Sequence, residues 1–331
     1  MTFPFAAYFA ALASAFVTTL ATLPLWRKWC LRISLVDDPG HRKIHDAPIP
    51  LAGGLAVLTG LLVPLAAAVV LLQFNFVHSA NTEALLYGLN KRKLQLAAIA
   101  LGAIGMTILG VLDDKHELRP FHKFTGQLLI AALVAAAGVR ITLFVPSLLF
   151  SYGVTILWLL TVINAFNFMD NMNGLCAGLG AIGAGWFAVI AAMDGQYLVA
   201  LIAFLTCGAL VGFLPHNFPN ARVFLGDSGS HLVGYLLAVL AILPHFYSRL
   251  NPRPWAVFFP LLVLAVPLGD LAWVVLLRWR LGQPFYVGDT NHLSHRLVRA
   301  GLSRRTAVLL IWLAAVVMCP PSGGGAGRLG S

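Results

Sequence analysis

Residues 147–193 read SLLFSYGVTILWLLTVINAFNFMDNMNGLCAGLGAIGAGWFAVIAAM. Two uncharged apolar runs, 147–166 and 174–193, flank a short segment of four asparagines and one aspartate within Asn164–Asn173. An apolar run of about 20 residues spans a ~30 Å hydrocarbon core as a helix, so the stretch predicts two membrane crossings joined by a polar turn. Applied to the rest of the chain, the same criterion gives runs near 3–25, 51–74, 94–112, 122–139, 197–214, 231–248, 255–277 and 306–319. The expected fold class is therefore all-α, a polytopic integral membrane protein with about ten transmembrane helices. Residues 1–319 are expected to form a single transmembrane domain, and 320–331 a disordered tail outside it.

Composition agrees. Of 331 residues, 59% are hydrophobic and 10% charged, against roughly 25% charged in a soluble domain. A disordered chain, a disulfide scaffold and an ordinary soluble enzyme are excluded together. Cys30, Cys176, Cys207 and Cys319 show no metal or redox spacing and read as free packing residues. The formal charge of +10 suits anionic lipid headgroups or a phosphorylated substrate, and no nucleic-acid partner is expected.

Loops rich in Lys and Arg stay in the cytoplasm. The odd-numbered loops carry 15 of these residues and the even-numbered ones six, so both termini are expected outside. The acids share the asymmetry, although topology does not demand it: Glu83 and Asp194 alone fall outside, and Asp270 lies within the ninth run. A carboxylate there costs roughly 2.5–3.5 kcal/mol on insertion scales and predicts a polar cavity. The chemistry is expected at the cytoplasmic face.

Five odd-numbered loops carry it. The first, VDDPGHRKIHDAPIPLAGGLAV (36–57), holds a basic knot of Arg42, Lys43 and His45 with His41, then Gly53–Gly54, where a backbone can approach a ligand; a positive-inside anchor is its plainer reading. The next ends a run with Asp113–Asp114, whose side chains diverge by about 100° on a helix, and continues to Lys123, a point charge for a phosphate. In the third, Asn164, Asn167 and Asp170 recur at i, i+3 and i+6 and share a face, with Asn171 and Asn173 behind them. Such a set suits a base, a sugar or a metal. The fourth contains Gly226-Asp227-Ser228-Gly229-Ser230 before a run, which reads either as a capped helix or as a metal-chelated phosphate site. The last sets His292, His295, Arg296 and Arg299 at helical spacing, an amphipathic basic helix at the membrane surface able to close over an anion; a third ligand for zinc is lacking nearby.

Taken in order, DDPGHRKIH with PIPLAGG, the Asp113–Asp114 pair, NAFNFMD, FPNARVFLGDSGS and HLSHR resemble the polyprenyl-phosphate N-acetylhexosamine-1-phosphate transferase family over about 36–307. The resemblance implies a ten- or eleven-span inner-membrane enzyme that uses magnesium, or manganese in its place. It would move a sugar 1-phosphate from a UDP-sugar to polyprenyl phosphate. It places Asp113, Asp114, Asp170 and Asp227 at a cytoplasmic active site, with Asp227 the foremost metal ligand and Asp113 or Asp114 assisting. Asp114 and Asp170 are candidate proton acceptors. Substrate contacts are expected from Arg42, Lys43, His45, Lys123, Asn164, Asn167, Asn173, His292, His295 and Arg296, and partners are UDP-sugar, polyprenyl phosphate and membrane lipids, with a homodimer compatible. Asn171, Asn173 and Ser294 depart from the family pattern. The loops look closer to the UDP-GlcNAc branch than to the UDP-MurNAc-pentapeptide branch. A secondary transporter is the competing class, but transporters place charged sites near the midplane, often in two similar halves, and no internal repeat is visible here. A catalytically inactive scaffold for polysaccharide assembly is a third reading.

Overall fold

A computed structural model of the chain describes residues 3–38, 48–74, 82–143, 145–244, 254–284 and 290–319. Among the described residues, thirteen α-helices follow one another: α1 (Phe5–Arg32), α2 (Gly53–Gln73), α3 (Thr82–Lys91), α4 (Lys93–His116), α5 (Pro120–Ala136), α6 (Leu148–Met169), α7 (Leu175–Met193), α8 (Tyr197–Asn217), α9 (Gly226–Leu240), α10 (Phe259–Val263), α11 (Ala265–Arg280), α12 (Leu293–Arg299) and α13 (Arg304–Val317). Two short strands, β1 (Val36–Asp37) and β2 (Ile49–Pro50), pair antiparallel with Val36 opposite Pro50. The protein is thus an all-α, multi-pass type of fold. Among the described residues six helices, α1, α2, α4, α6, α7 and α8, are long and apolar enough to cross a membrane, and α10 with α11 makes a seventh if the bent pair is one span.

The ninth run is broken where one straight helix is expected. α10 and α11 meet at about Leu264 with a bend of 70°. Pro267 explains the position: it has no N–H to give to the carbonyl of Val263, and its ring crowds that turn.

α9 organises the bundle. Every residue from Gly226 to Leu240 except Asp227 is buried, as expected of a helix surrounded by protein rather than lipid. It packs between α4 and α6, with α2 and α7 also against it. Gly110 of α4 allows a close approach, because a Cβ there would collide with the backbone of Ser228. The Tyr235 hydroxyl donates to the carbonyl of Ile99 at 3.0 Å and fixes the register of α9 along α4.

One end of the bundle therefore gathers the C-termini of α4 and α6 and the N-termini of α5 and α9. The stem of the first polar loop reaches the same place: Phe224 N–H donates to Pro50 O at 3.0 Å, Gly53 N–H to Phe224 O at 3.0 Å, and Gly54 N–H to Leu225 O at 3.1 Å. The close approach expected at Gly53–Gly54 is thus an approach to the first turn of α9 and the segment before it, and these amides are spent on protein carbonyls.

Candidate active site

The sequence does not cap α9 locally. Its N-terminal amides are capped from another helix: Asp227 N–H donates to Asp114 Oδ1 at 2.7 Å and Ser228 N–H to Asp114 Oδ2 at 3.1 Å. The first amides of a helix lack intrahelical acceptors and carry the positive end of its dipole, so a carboxylate is a favourable partner. Gly226, at φ +73°, turns the chain into the helix; a side chain there would be strained and would meet Asp114 Oδ2 at 2.8 Å. Both oxygens of Asp114 are committed to this cap.

Asp113 diverges from Asp114, as its position on the helix requires. Its Oδ1 accepts Leu118 N–H at 3.0 Å and its Oδ2 lies 2.7 Å from Lys123 Nζ. Lys123, on the first turn of α5, also stands 3.5 Å from Asp227 Oδ2 and 3.4 Å from Asn167 Oδ1. Asn167 closes the group: its Nδ2 donates to Asp227 Oδ1 at 2.6 Å and to Ser230 Oγ at 2.9 Å. Three carboxylates from two helices, one ammonium and one amide thus form a connected cluster, in which Asp227 is 34% exposed and Asp113 7%.

Asp170 follows the last residue of α6. Its side chain is exposed at the surface. Partial desolvation against the protein beneath it, and then the Asp227 and Asp114 charges, raise its carboxyl above the usual carboxylate range.

A residue not singled out from the sequence joins the cluster. His231 is fully buried, and ligand atoms of Asp113, Asp227 and His231 lie within 4.8 Å of one another. Its signal was present as the i, i+4 spacing from Asp227, which puts the two on one helix face.

Other expected residues are placed differently. Asn164 gives its Nδ2 to Gln127 Oε1 and to Leu160 O, both at 2.8 Å, and so ties α6 to α5 instead of joining the acids. Asn173 donates to Pro219 O at 3.2 Å. Arg42, Lys43 and His45 lie outside the described residues, as does the tail 320–331.

A second polar group lies on α11 and α12. Asp270 is 4% exposed and is the acceptor its depth demands: His292 Nδ1 lies 2.7 Å from Oδ2, and Leu293 N–H donates to Oδ1 at 2.6 Å. Asp270 therefore anchors the start of α12. Ser294 Oγ donates to Asn171 Oδ1 at 2.6 Å, so two positions that depart from the family pattern bond to each other. Arg278 stacks on Phe168 at 5.1 Å, and Phe168 stands edge-on to His292 at 5.6 Å. Arg296 is exposed, its guanidinium 4.6 Å from the Trp273 ring centre. Burial, then His292, Arg304 and Arg299, push His295 below the ordinary imidazole value. The shift favours the neutral imidazole.

The cluster can bind a cation, present an ammonium to a phosphate, and take up a proton. Residues 96–245, which contain all of it, match the family model described as glycosyl transferase family 4. The probable undecaprenyl-phosphate N-acetylglucosaminyl 1-phosphate transferase of Bacillus subtilis is 32% identical over 311 residues, covering 90% of this chain and 80% of the relative. The decaprenyl-phosphate N-acetylglucosaminephosphotransferase of Mycobacterium tuberculosis is 34% identical over 334 residues, covering 91% and 78%. The undecaprenyl-phosphate alpha-N-acetylglucosaminyl 1-phosphate transferase of Escherichia coli K12 is 28% identical over 324 residues, covering 93% and 81%. With its loop motifs, its helical bundle and these relatives in agreement, the chain belongs to glycosyl transferase family 4, among the polyprenyl-phosphate N-acetylhexosamine-1-phosphate transferases.

Proposed function

We propose that this protein transfers N-acetylglucosamine 1-phosphate from UDP-N-acetylglucosamine to polyprenyl phosphate, releasing UMP, at the cytoplasmic face of a bacterial inner membrane. The observation that carries the reading is the Asp113–Lys123–Asp227–Asn167 cluster at one end of the bundle, in a chain of this family. A transporter reading is disfavoured by the same placement, because its charged site belongs near the bilayer midplane.

The reaction brings together two anions. A polyprenyl phosphate oxygen attacks the sugar-bearing phosphorus of the donor, a P–O bond forms, and the bond to UMP breaks. Unit negative charges 4 Å apart repel by about 4 kcal/mol at an effective dielectric of 20, so the first task is electrostatic. Asp113 and Asp227 fit a divalent cation, since carboxylate oxygens from two helices already converge on one positive charge, the Lys123 ammonium. Magnesium, or manganese in its place, would offset charge on the pyrophosphate and on the departing UMP. Lys123 then pairs with the incoming phosphate. Asp114 holds the N-terminus of α9 and so fixes where Asp227 stands. Asp170, whose raised affinity for a proton suits the role, accepts a residual proton from the lipid phosphate. α12, anchored by Asp270, brings His292, His295 and Arg296 over the sugar-phosphate side.

Ten crossings remain the topology we favour: α1, α2, α4 to α9, the bent α10–α11 pair and α13. At 15 residues, α9 reaches only about 22 Å. Sheathed in protein, it need not meet lipid along its length. Odd-numbered loops then face the cytoplasm.

Purified protein offered a panel of UDP-sugars with polyprenyl phosphate tests the reading. UMP release and a polyprenyl-diphosphate sugar are expected with UDP-N-acetylglucosamine. Turnover only with UDP-MurNAc-pentapeptide, or with none, would overturn it.

A further inference from the structure

His231 is costly where it stands. Its ring is fully buried, and among the described residues neither nitrogen has a hydrogen-bond partner. An unsatisfied buried polar group costs about 1–3 kcal/mol. Nearby side chains do not relieve it: Asn167 gives its amide hydrogens to Asp227 and Ser230, and Asp114 is engaged with the α9 amides. Yet the ring sits one helical turn after Asp227, on the same face, and its ligand atom falls within 4.8 Å of those of Asp113 and Asp227. Ligand atoms this close together can converge on one ion through small side-chain movements.

We propose that His231 is an imidazole ligand of the divalent cation at this site, and that the mixed Asp113–Asp227–His231 set makes the protein bind Mn2+ in preference to Mg2+. The inference rests on the reading that this cluster holds a divalent cation for phosphoryl transfer. Mg2+ favours oxygen ligands and retained water, whereas a neutral imidazole is a good ligand for the softer divalent ions. The nitrogen that would cost stability without a partner becomes the source of selectivity.

The test uses full-length protein in detergent, stripped with EDTA and titrated with Mn2+ alone or Mg2+ alone, with pulsed electron paramagnetic resonance on the Mn2+ form. Expected are a 14N coupling from a directly bound imidazole and Mn2+ binding at least about tenfold tighter than Mg2+. His231→Leu is expected to lose the 14N signal and at least about tenfold in Mn2+ affinity, with Mg2+ affinity changed less than about threefold. Bound Mn2+ without 14N coupling, or equal affinity for the two ions, would overturn the proposal. The 14N measurement needs no variant, so a poorly folding His231→Leu chain does not protect it. UMP release by the unsubstituted protein is read separately. Its absence alongside 14N coupling would defeat the functional reading and leave the ligand assignment standing; release without coupling would do the reverse.

Discussion

Asp114 accepts the backbone N–H of Asp227 at 2.7 Å, so one acid of the cluster holds the helix that carries another. Although adjacent in sequence, Asp113 and Asp114 therefore have separate tasks. Asp114→Asn keeps one acceptor but turns an NH2 group toward a backbone N–H. It is expected to lower stability by about 1–3 kcal/mol and to cut turnover with it. Asp113→Asn, which leaves the cap intact, should cut turnover with a smaller stability loss. Thermal unfolding in detergent beside UMP release checks this; equal destabilisation by the two variants would contradict the division.

Lys123 stands where a divalent cation would be drawn, 2.7 Å from Asp113 and 3.5 Å from Asp227. Lys123→Met removes that resident positive charge. Without substrate it should tighten divalent binding by up to about fivefold, ~1 kcal/mol, the worth of a partly exposed pair. The same variant should raise the KM for polyprenyl phosphate. Calorimetric titration with the metal alone and steady-state kinetics read the two effects. Weaker metal binding in the variant would refute the competition.

Asp270 serves α12 from within the bundle through His292 and Leu293 N–H. Asp270→Ala strands both donors and should raise the KM for the UDP-sugar more than it lowers kcat, because α12 loses its anchor rather than the reacting atoms. A kcat loss at constant KM would place Asp270 in the chemistry instead.

Asp170 gives a pH signature. Its carboxyl is raised in the folded state, first by desolvation and then by Asp227 and Asp114. The protonated form therefore contributes stability that is fully present below about pH 4, the unfolded carboxylate value, and is lost as pH rises through the elevated folded value. Asp170→Asn cannot ionise and should flatten this part of a melting-temperature profile recorded in EDTA. Turnover in the native protein should fall as pH drops through the same raised value. Parallel melting profiles for the two proteins would exclude the effect.

Local patterns carried much of this. Apolar length located the helices around Leu148–Met169 and Leu175–Met193, and the Asp, Asn and Lys positions of the loops led to one end of the bundle. Contacts between distant residues were beyond such patterns. The cap on α9 comes from Asp114, 113 residues upstream of Asp227. Spacing put Asn164 on the face of Asn167 and Asp170, but Gln127 of α5 faces that part of the helix and takes its amide. His231 looked like the start of an apolar run because burial and lack of partners are properties of the packed bundle. The bend near Leu264 was signalled by Pro267, within a run whose hydropathy alone argued for a straight helix.

A cation held by Asp227 and Asp113 would allow the two phosphates to meet. The most direct test of this is UMP release from UDP-N-acetylglucosamine and polyprenyl phosphate by the purified protein, with EDTA, with restored Mg2+ or Mn2+, and in Asp227→Asn. Expected are no release in EDTA, recovery with either ion, and a fall of at least about a hundredfold in the variant, the scale on which one lost group stabilising the transition state is felt. Undiminished release in EDTA, or wild-type metal-dependent turnover by Asp227→Asn, would contradict it.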